Sequence, residues 1–334
     1  MTTATTSDLT PNAAPTTETT TPKPTPEWIA GFWRRVLGYV IDVSILAFVG
    51  FLLGSLFESI FIELGGWARL VGFGVGIAYF GVLNSRIGGG KTLGKRLLGI
   101  VVVDRNNQLI GLGRSMARYS ILAVPFLLNG APISMELLMS VAVYPLSILL
   151  FGGIFVITYL IIFNRRTRQS LHDVITGTYV VKSDAKYEAP RAVWNGHWVV
   201  TGLLVVLAAL APVLSEKLLE QQPFQELLAA QLALSEEADV IQVGVTIGTN
   251  TIWRDGDSHN LNYVSATAQI GQDSVDDRER AKEIAKLVMQ TYPNAVNQDV
   301  INVTFVHGYD IGIWSKSSTH SHDFLLSELS DGML

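Results

Sequence analysis

The sequence predicts an all-α transmembrane helical bundle of about five helices, joined to a small C-terminal α/β (α+β) soluble domain. Composition gives the first indication. Charged residues make 16 % of the 334 residues, apolar residues make 49 %, and the mean hydropathy is +0.33. An ordinary soluble domain is about 25 % charged, so one water-soluble core cannot hide this much apolar surface. Long apolar segments recur as far as Leu214, which is the second indication. The third is a change of charge along the chain: residues 1–214 carry 17 Lys+Arg against 11 Asp+Glu, and residues 215–334 carry 7 against 18. The acidic tail disfavours nucleic acid as a partner. A chain without cysteine has no disulfides, thiol nucleophiles or cysteine-ligated zinc.

Residues 1–30 read as a disordered arm. The first 26 hold eleven threonines and five prolines with no apolar run, which neither offsets the entropy of ordering nor resembles a signal peptide. Val36 to Phe57, entered through Trp33-Arg34-Arg35, is apolar but for Asp42 and is long enough to cross ~30 Å of hydrocarbon. A second segment, Trp67 to Asn84, carries Gly72 and Gly76 at the small-xxx-small spacing that admits a close helix, although glycine is also simply common in membrane helices. Residues 85–118 then carry seven Lys/Arg and one acid, and residues 164–195 carry six and three, which places both loops in the cytoplasm. Two crossings must lie between them, turning at Asn129-Gly130-Ala131-Pro132. The first is short: Tyr119 to Gly130 would serve equally as a re-entrant segment. Residues 182–196 form a cytoplasmic linker, and residues 197–214, free of charge, form an additional crossing that carries residues 215–334 outside.

In that outer part Val240 to Gly248 and Asn262 to Ile270 alternate about Asp255-Gly256, as a hairpin does. Ser274 and Asp277 have capping-box spacing, ahead of a helical stripe of Ala281, Ile284, Ala285 and Val288 that stops near Pro293. Ile301, Val303 and Phe305 alternate as a further strand, with a return expected after His307-Gly308. Leu214 to Leu234 is helical in pattern, with a break required at Pro223.

Asp42 is the residue with most to explain. It lies ~12 Å along the first helix, where a carboxylate costs about 2.5–3.5 kcal/mol on insertion scales. It therefore either handles an ion or proton, or pairs with another helix and fixes packing. Arg35, two turns earlier, shares its face but is out of reach. Gly88-Gly89-Gly90-Lys91-Thr92 resembles a phosphate loop, but Ser85 stands where its first glycine belongs and a membrane helix precedes it, so nucleotide binding is disfavoured. Lys91, Lys95 and Arg96 read better as a cationic turn at the lipid headgroups, worth about 1 kcal/mol per residue. His172-Asp173 combines an acid with an imidazole that titrates near neutrality and could pass protons; the plainer reading is that Asp173 caps local structure or ties Arg35 to the loop. His307, His320 and His322 lack metal-ligand spacing, and no Ser/His/Asp order with a nucleophile elbow occurs. Neither enzymatic activity, a cofactor nor a metal is expected.

Three blocks in order, GFWRRVLGYVIDVSIL (Gly31 to Leu46), GGGKTLGKRLLGIVVVD (Gly88 to Asp104) and RRTRQSLHDVITGTYVV (Arg165 to Val181), resemble the RDD family of bacterial membrane proteins. The family's arginine falls on Arg35, adjoined by Arg34, its first aspartate on Asp42, and its second on Asp173, beside His172. The resemblance covers residues 31–181 and implies a helical module in the bacterial inner membrane, for which transport of ions or small ligands is suggested. Two functions follow as expectations. One is passage of a small cation, a proton or another small ligand, with Asp42 facing the ion and Arg35 and Asp173 setting its charge. The other is a non-transporting scaffold or sensor that presents residues 215–334. Expected partners are membrane lipids, further copies of the chain because one copy has few helices to enclose a pore, and a protein bound by the outer domain.

Overall fold

The computed structural model describes residues 28–219, 222–254 and 257–330; most of the Thr/Pro-rich arm and the Asp255-Gly256 turn lie outside the described residues. Helix α1 (Phe32–Leu64) has 33 residues and so runs about 50 Å, well beyond the hydrocarbon thickness. Phe57, where the apolar segment was expected to end, is where the backbone leaves helical dihedrals (φ −129°, ψ 28°) before the helix resumes. A 3₁₀ turn (Gly65–Ala68) leads to α2 (Arg69–Leu83), which returns antiparallel. Tyr39 stacks on Phe80 near one end of this pair, and Phe61 packs in a cluster with Ala68 at the other.

There follow α3 (Leu93–Leu97), strand β1 (Ile100–Asp104), α4 (Leu112–Leu128) and the short α5 (Met135–Leu138). Helix α6 (Val143–Ser147) passes through a π-helical turn into α7 (Gly153–Phe163), and α8 (Leu171–Thr176), β2 (Thr178–Lys182) and α9 (Asn195–Leu219) complete the bundle. Among the described residues, three stretches are long and apolar enough to cross a membrane: Phe32–Leu83, which holds α1 and α2, Val143–Phe163 and Asn195–Ser215. Their large side chains point outward, among them Leu37, Phe48 and Leu52 on α1 and Val199, Leu203 and Leu207 on α9. Apolar side chains on the outer face of helices that satisfy their own backbone are what lipid requires. Helix α4 is longer than its apolar run because it begins seven residues before Tyr119, with Arg114 and Arg118 in its first two turns.

The basic segments at one end of the bundle are more ordered than their polarity suggested. Strands β1 and β2 pair antiparallel, Val102 opposite Val180, and Ile29 bridges to Val181. Trp28, Ile29 and Ala30, which composition assigned to the arm, are buried against these strands. Burial of three apolar residues on a β-ribbon outweighs the local composition that suggested disorder.

The C-terminal part comprises α10 (Gln222–Ser235), β3 (Val240–Arg254), β4 (Asp257–Ile270), α11 (Arg278–Thr291), β5 (Val300–Asp310), β6 (Ser315–Leu325) and α12 (Leu326–Ser330). Pro223 falls in the first turn of α10, where a missing N–H costs nothing. The sheet order is β3-β4-β5-β6, antiparallel except for β4 and β5, which run parallel because α11 crosses over between them. Ala281, Ile284, Ala285 and Val288 of α11 are all buried on the sheet. That helix starts later than Ser274 because Asp277 is its cap, accepting from the Arg280 N–H at 3.0 Å.

The β5–β6 turn leaves this domain and enters the bundle between α1 and α2. Tyr309 packs on Phe61, Trp314 on Phe51, and Lys316 pairs with Glu58 at 2.8 Å. Arg69, at the start of α2, pairs with Asp310 at 3.2 Å. The Gly72/Gly76 face is used here: a Cβ on Gly72 would collide with the Ile311 carbonyl, and one on Gly76 with the Tyr119 ring of α4.

Candidate functional site

Two buried charge clusters lie at the end of the bundle that holds the β1–β2 ribbon. Asp42 has no exposed surface. Its Oδ1 accepts from the Tyr79 hydroxyl at 2.8 Å and the Gly94 N–H at 2.8 Å, and its Oδ2 accepts from the Thr92 hydroxyl at 2.5 Å, with Lys95 Nζ at 3.8 Å. Thr92 is also the cap of α3, accepting from the Lys95 N–H. Helix α3 comes this close because Gly94 lies against Gly38 of α1; a Cβ there would collide with the Gly38 carbonyl. Asp42 therefore fastens α3 to the bundle.

The second cluster joins three distant parts of the chain. Asp173 of α8, also without exposed surface, accepts from Arg35 Nη2 of α1 at 2.5 Å and from Arg118 Nε and Nη2 of α4 at 2.9 and 2.6 Å. The Thr178 hydroxyl adds a bond at 3.1 Å, and the Ser170 N–H one at 3.4 Å. The guanidinium groups hold the Asp173 carboxyl far below the usual carboxylate range against the opposing effect of burial. Arg114 donates to the carbonyls of Thr176 and Gly177, holding the C-terminal end of α8 to α4.

Two expectations need correction. His172 does not titrate near neutrality: burial, reinforced by Arg118 and Arg35, pushes it down to about 3 despite Asp173. Lys95 is not at the headgroups; it is buried, turned inward toward Asp42, and burial lowers it to about 7. Lys91 is half-buried, and Arg96 is exposed and donates to the carbonyls of Lys91 and Gly88. Arg34 is exposed. Arg35 and Asp173 meet, whereas Asp42 contacts neither. From sequence, Arg118 counts only as a loop charge, Thr92 enters only through the phosphate-loop comparison, and Tyr79 and Thr178 have no role. An arginine two turns inside an amphipathic helix was the available signal for Arg118.

Two cavities lie within the bundle. The lower, of about 250 Å³, is lined by Arg35, Lys95, Arg118, Arg168, Asn84 and His172, with apolar walls from Val36, Ile157 and Ile161. The upper, of about 220 Å³, runs past Val43, Leu46 and Ala123 to Arg69, and Gly312 and Ile313 of the β5–β6 turn close its far end. Both share Tyr39, Phe80, Tyr119, Leu122 and Phe126 as walls. Phe80 stacks on Tyr119 with ring centroids 5.0 Å apart and on Tyr39 at 6.1 Å, so a stack of three aromatic rings borders both cavities. Asp42 lines neither cavity. Among the described residues no three His, Asp or Glu side chains gather as a metal site.

A bundle with lipid-facing apolar helices, an internal charge lock and chambers between its helices defines a polytopic membrane module. Residues 29–177 match the model of the RDD family. Arg35 and Asp173, on which the sequence resemblance places the family's arginine and second aspartate, form an ion pair in the structure. No curated protein matches the chain. The matched segment stops before β2, α9 and the whole C-terminal domain.

Proposed function

We propose that the module passes a small ligand across the bacterial inner membrane by way of the two cavities, with Tyr39, Phe80 and Tyr119 as the barrier between them. The observation that carries this is the shared aromatic wall: each cavity reaches toward a different end of the bundle, and both stop at the same rings. The basic loops on the lower side favour five crossings with that side cytoplasmic and the C-terminal domain outside. Asp42 is an anchor in this reading, since three donors already occupy its oxygens and it borders no cavity.

The test is uptake of protons, rubidium and inorganic phosphate into proteoliposomes. Flux of one of these that Tyr119→Trp blocks, and that Asp42→Asn changes only in proportion to the folded fraction, supports the proposal. Abolition of flux by Asp42→Asn in fully folded protein would return the carboxyl to the transport step.

The scaffold or sensor reading has its own observation. The β5–β6 turn couples the outer domain to α1 and α2 through Tyr309, Ile311 and Trp314, a route by which a bound partner could act on the bundle. Absence of all three fluxes, together with a stoichiometric partner recovered by crosslinking, would favour it.

A further inference from the structure

We infer that the lower cavity binds an amphiphilic phosphate monoester, with the phosphate among Arg35, Lys95, Arg118 and Arg168 and the hydrocarbon against the apolar wall. This rests on the reading of the lower cavity as part of the ligand path and assigns the class of ligand.

Charge is the first observation. Four cationic side chains line the cavity and no Asp or Glu does. Asp42 and Asp173 offset two of those charges from behind, and the three guanidinium groups leave the cavity side positive even where Lys95 is uncharged. Arg118 spends Nε and Nη2 on Asp173, Arg35 spends Nη2, and Arg168 has no side-chain acceptor among the described residues. Burial first, and the charges of Arg165 and Arg35 after it, lower the pKa of Arg168. Arg168 is also held at φ +54°, a left-handed backbone conformation that non-glycine residues adopt where the surroundings impose it.

The second observation concerns acceptors. Asn84 Oδ1 and His172 Nδ1 are buried and have no hydrogen-bond partner among the described residues. With His172 neutral and Nε2 directed at Asp173, 3.5 Å away, Nδ1 carries the free lone pair. Buried acceptors without donors are exceptions that call for a cause. A carboxylate offers only acceptors and leaves both unsatisfied. A singly protonated phosphate monoester brings negative oxygens for the cations and an O–H for an acceptor. Val36, Ile157 and Ile161 supply the surface for its ester group.

Binding of hexyl phosphate to the full chain in non-ionic detergent, measured by titration calorimetry, tests the site. Saturable binding that weakens at least tenfold in Arg168→Gln, a residue outside the Asp173 lock, is expected, with inorganic phosphate weaker and hexyltrimethylammonium not bound. Equal affinity in Arg168→Gln, no binding of hexyl phosphate, or preference for the cation would overturn the assignment. Lys95→Gln supplies a second variant should Arg168→Gln fail to fold. Mass spectrometry of extracted lipid identifies the source. A lipid phosphate that co-purifies and is displaced by hexyl phosphate identifies a headgroup; lipid-free protein with the same affinity identifies a soluble ester. Binding without vesicle flux removes the transport reading and keeps the site. Proton or rubidium flux without binding removes the site and keeps transport.

Discussion

Replacing Asp173 by Asn should be the most damaging single change in the membrane module. The carboxyl is the shared acceptor of Arg35 and Arg118, whose side chains are 17 % and 9 % exposed, so neither guanidinium can recover its counter-charge from water without moving. Removing one partner of a buried pair typically costs about 3–5 kcal/mol, because the other charge is left uncompensated. Two charges are left here, which argues for the upper part of that range. Each contact would be worth less than about 1 kcal/mol if it lay at the surface. Urea unfolding in mild detergent, followed by tryptophan fluorescence, measures the loss for Asp173→Asn, Arg118→Gln and the double variant. The double variant should be less damaged than the sum of the singles by about 1.5 kcal/mol or more, since it removes a charge along with its partner. A cost under about 1 kcal/mol for Asp173→Asn, or strict additivity, would refute the lock.

Other outcomes follow from the same geometry. His172 has a folded pKa of about 3 against 6.5 unfolded, so folding releases its proton between those values; its penalty is absent above 6.5 and grows as pH falls. Lys95, at about 7 against 10.5, likewise makes folding more favourable as pH rises from 7. The melting temperature in detergent should thus climb between pH 5 and 9, and His172→Gln should flatten the acid side; a fall across that interval contradicts both assignments. Tyr79→Phe removes one donor from Asp42 and should cost about 1.5–3 kcal/mol in the same urea assay, with α3 becoming accessible to protease; a neutral result would show that Asp42 is held without it. Gly72→Val places a side chain where the Ile311 carbonyl sits and should release the β5–β6 turn. A crosslink between cysteines at Glu58 and Lys316 would then be lost, and its persistence would show that the turn is not seated on Gly72.

Much of the architecture was legible because it follows from periodicity and hydropathy. The stripe Ala281, Ile284, Ala285 and Val288 is the buried face of α11, and Val245 pairs with Ala266 in the expected hairpin. The apolar segments are the helices, and residues 31–181 nearly coincide with the matched family segment. What escaped was long-range. The β1–β2 ribbon joins residues far apart in sequence, and neither Val101 to Val103 nor Tyr179 to Val181 reveals its partner locally. The seating of the β5–β6 turn between α1 and α2 depends on a contact across more than 200 residues, and only the glycines that make room for it were visible.

The site was legible as residue types and not as pairings. Asp42 demanded a partner on energetic grounds, and it has Thr92, Gly94, Tyr79 and Lys95, three of which offer only a hydroxyl or a backbone N–H. Lys95 looked like a headgroup contact because a one-dimensional count of basic residues cannot tell which of them turns inward. The cavities, formed by residues from segments far apart in the chain, have no sequence signature.

The cysteine-free chain permits a direct test of the two-chamber path, by single cysteines at Ala123 in the upper cavity and Thr158 in the lower. In sealed, oriented vesicles a membrane-impermeant thiol reagent should reach these two positions from opposite faces, and Tyr119→Ala should open each to both. Labelling of both from one face, or of neither before and after Tyr119→Ala, would contradict an aromatic barrier between chambers.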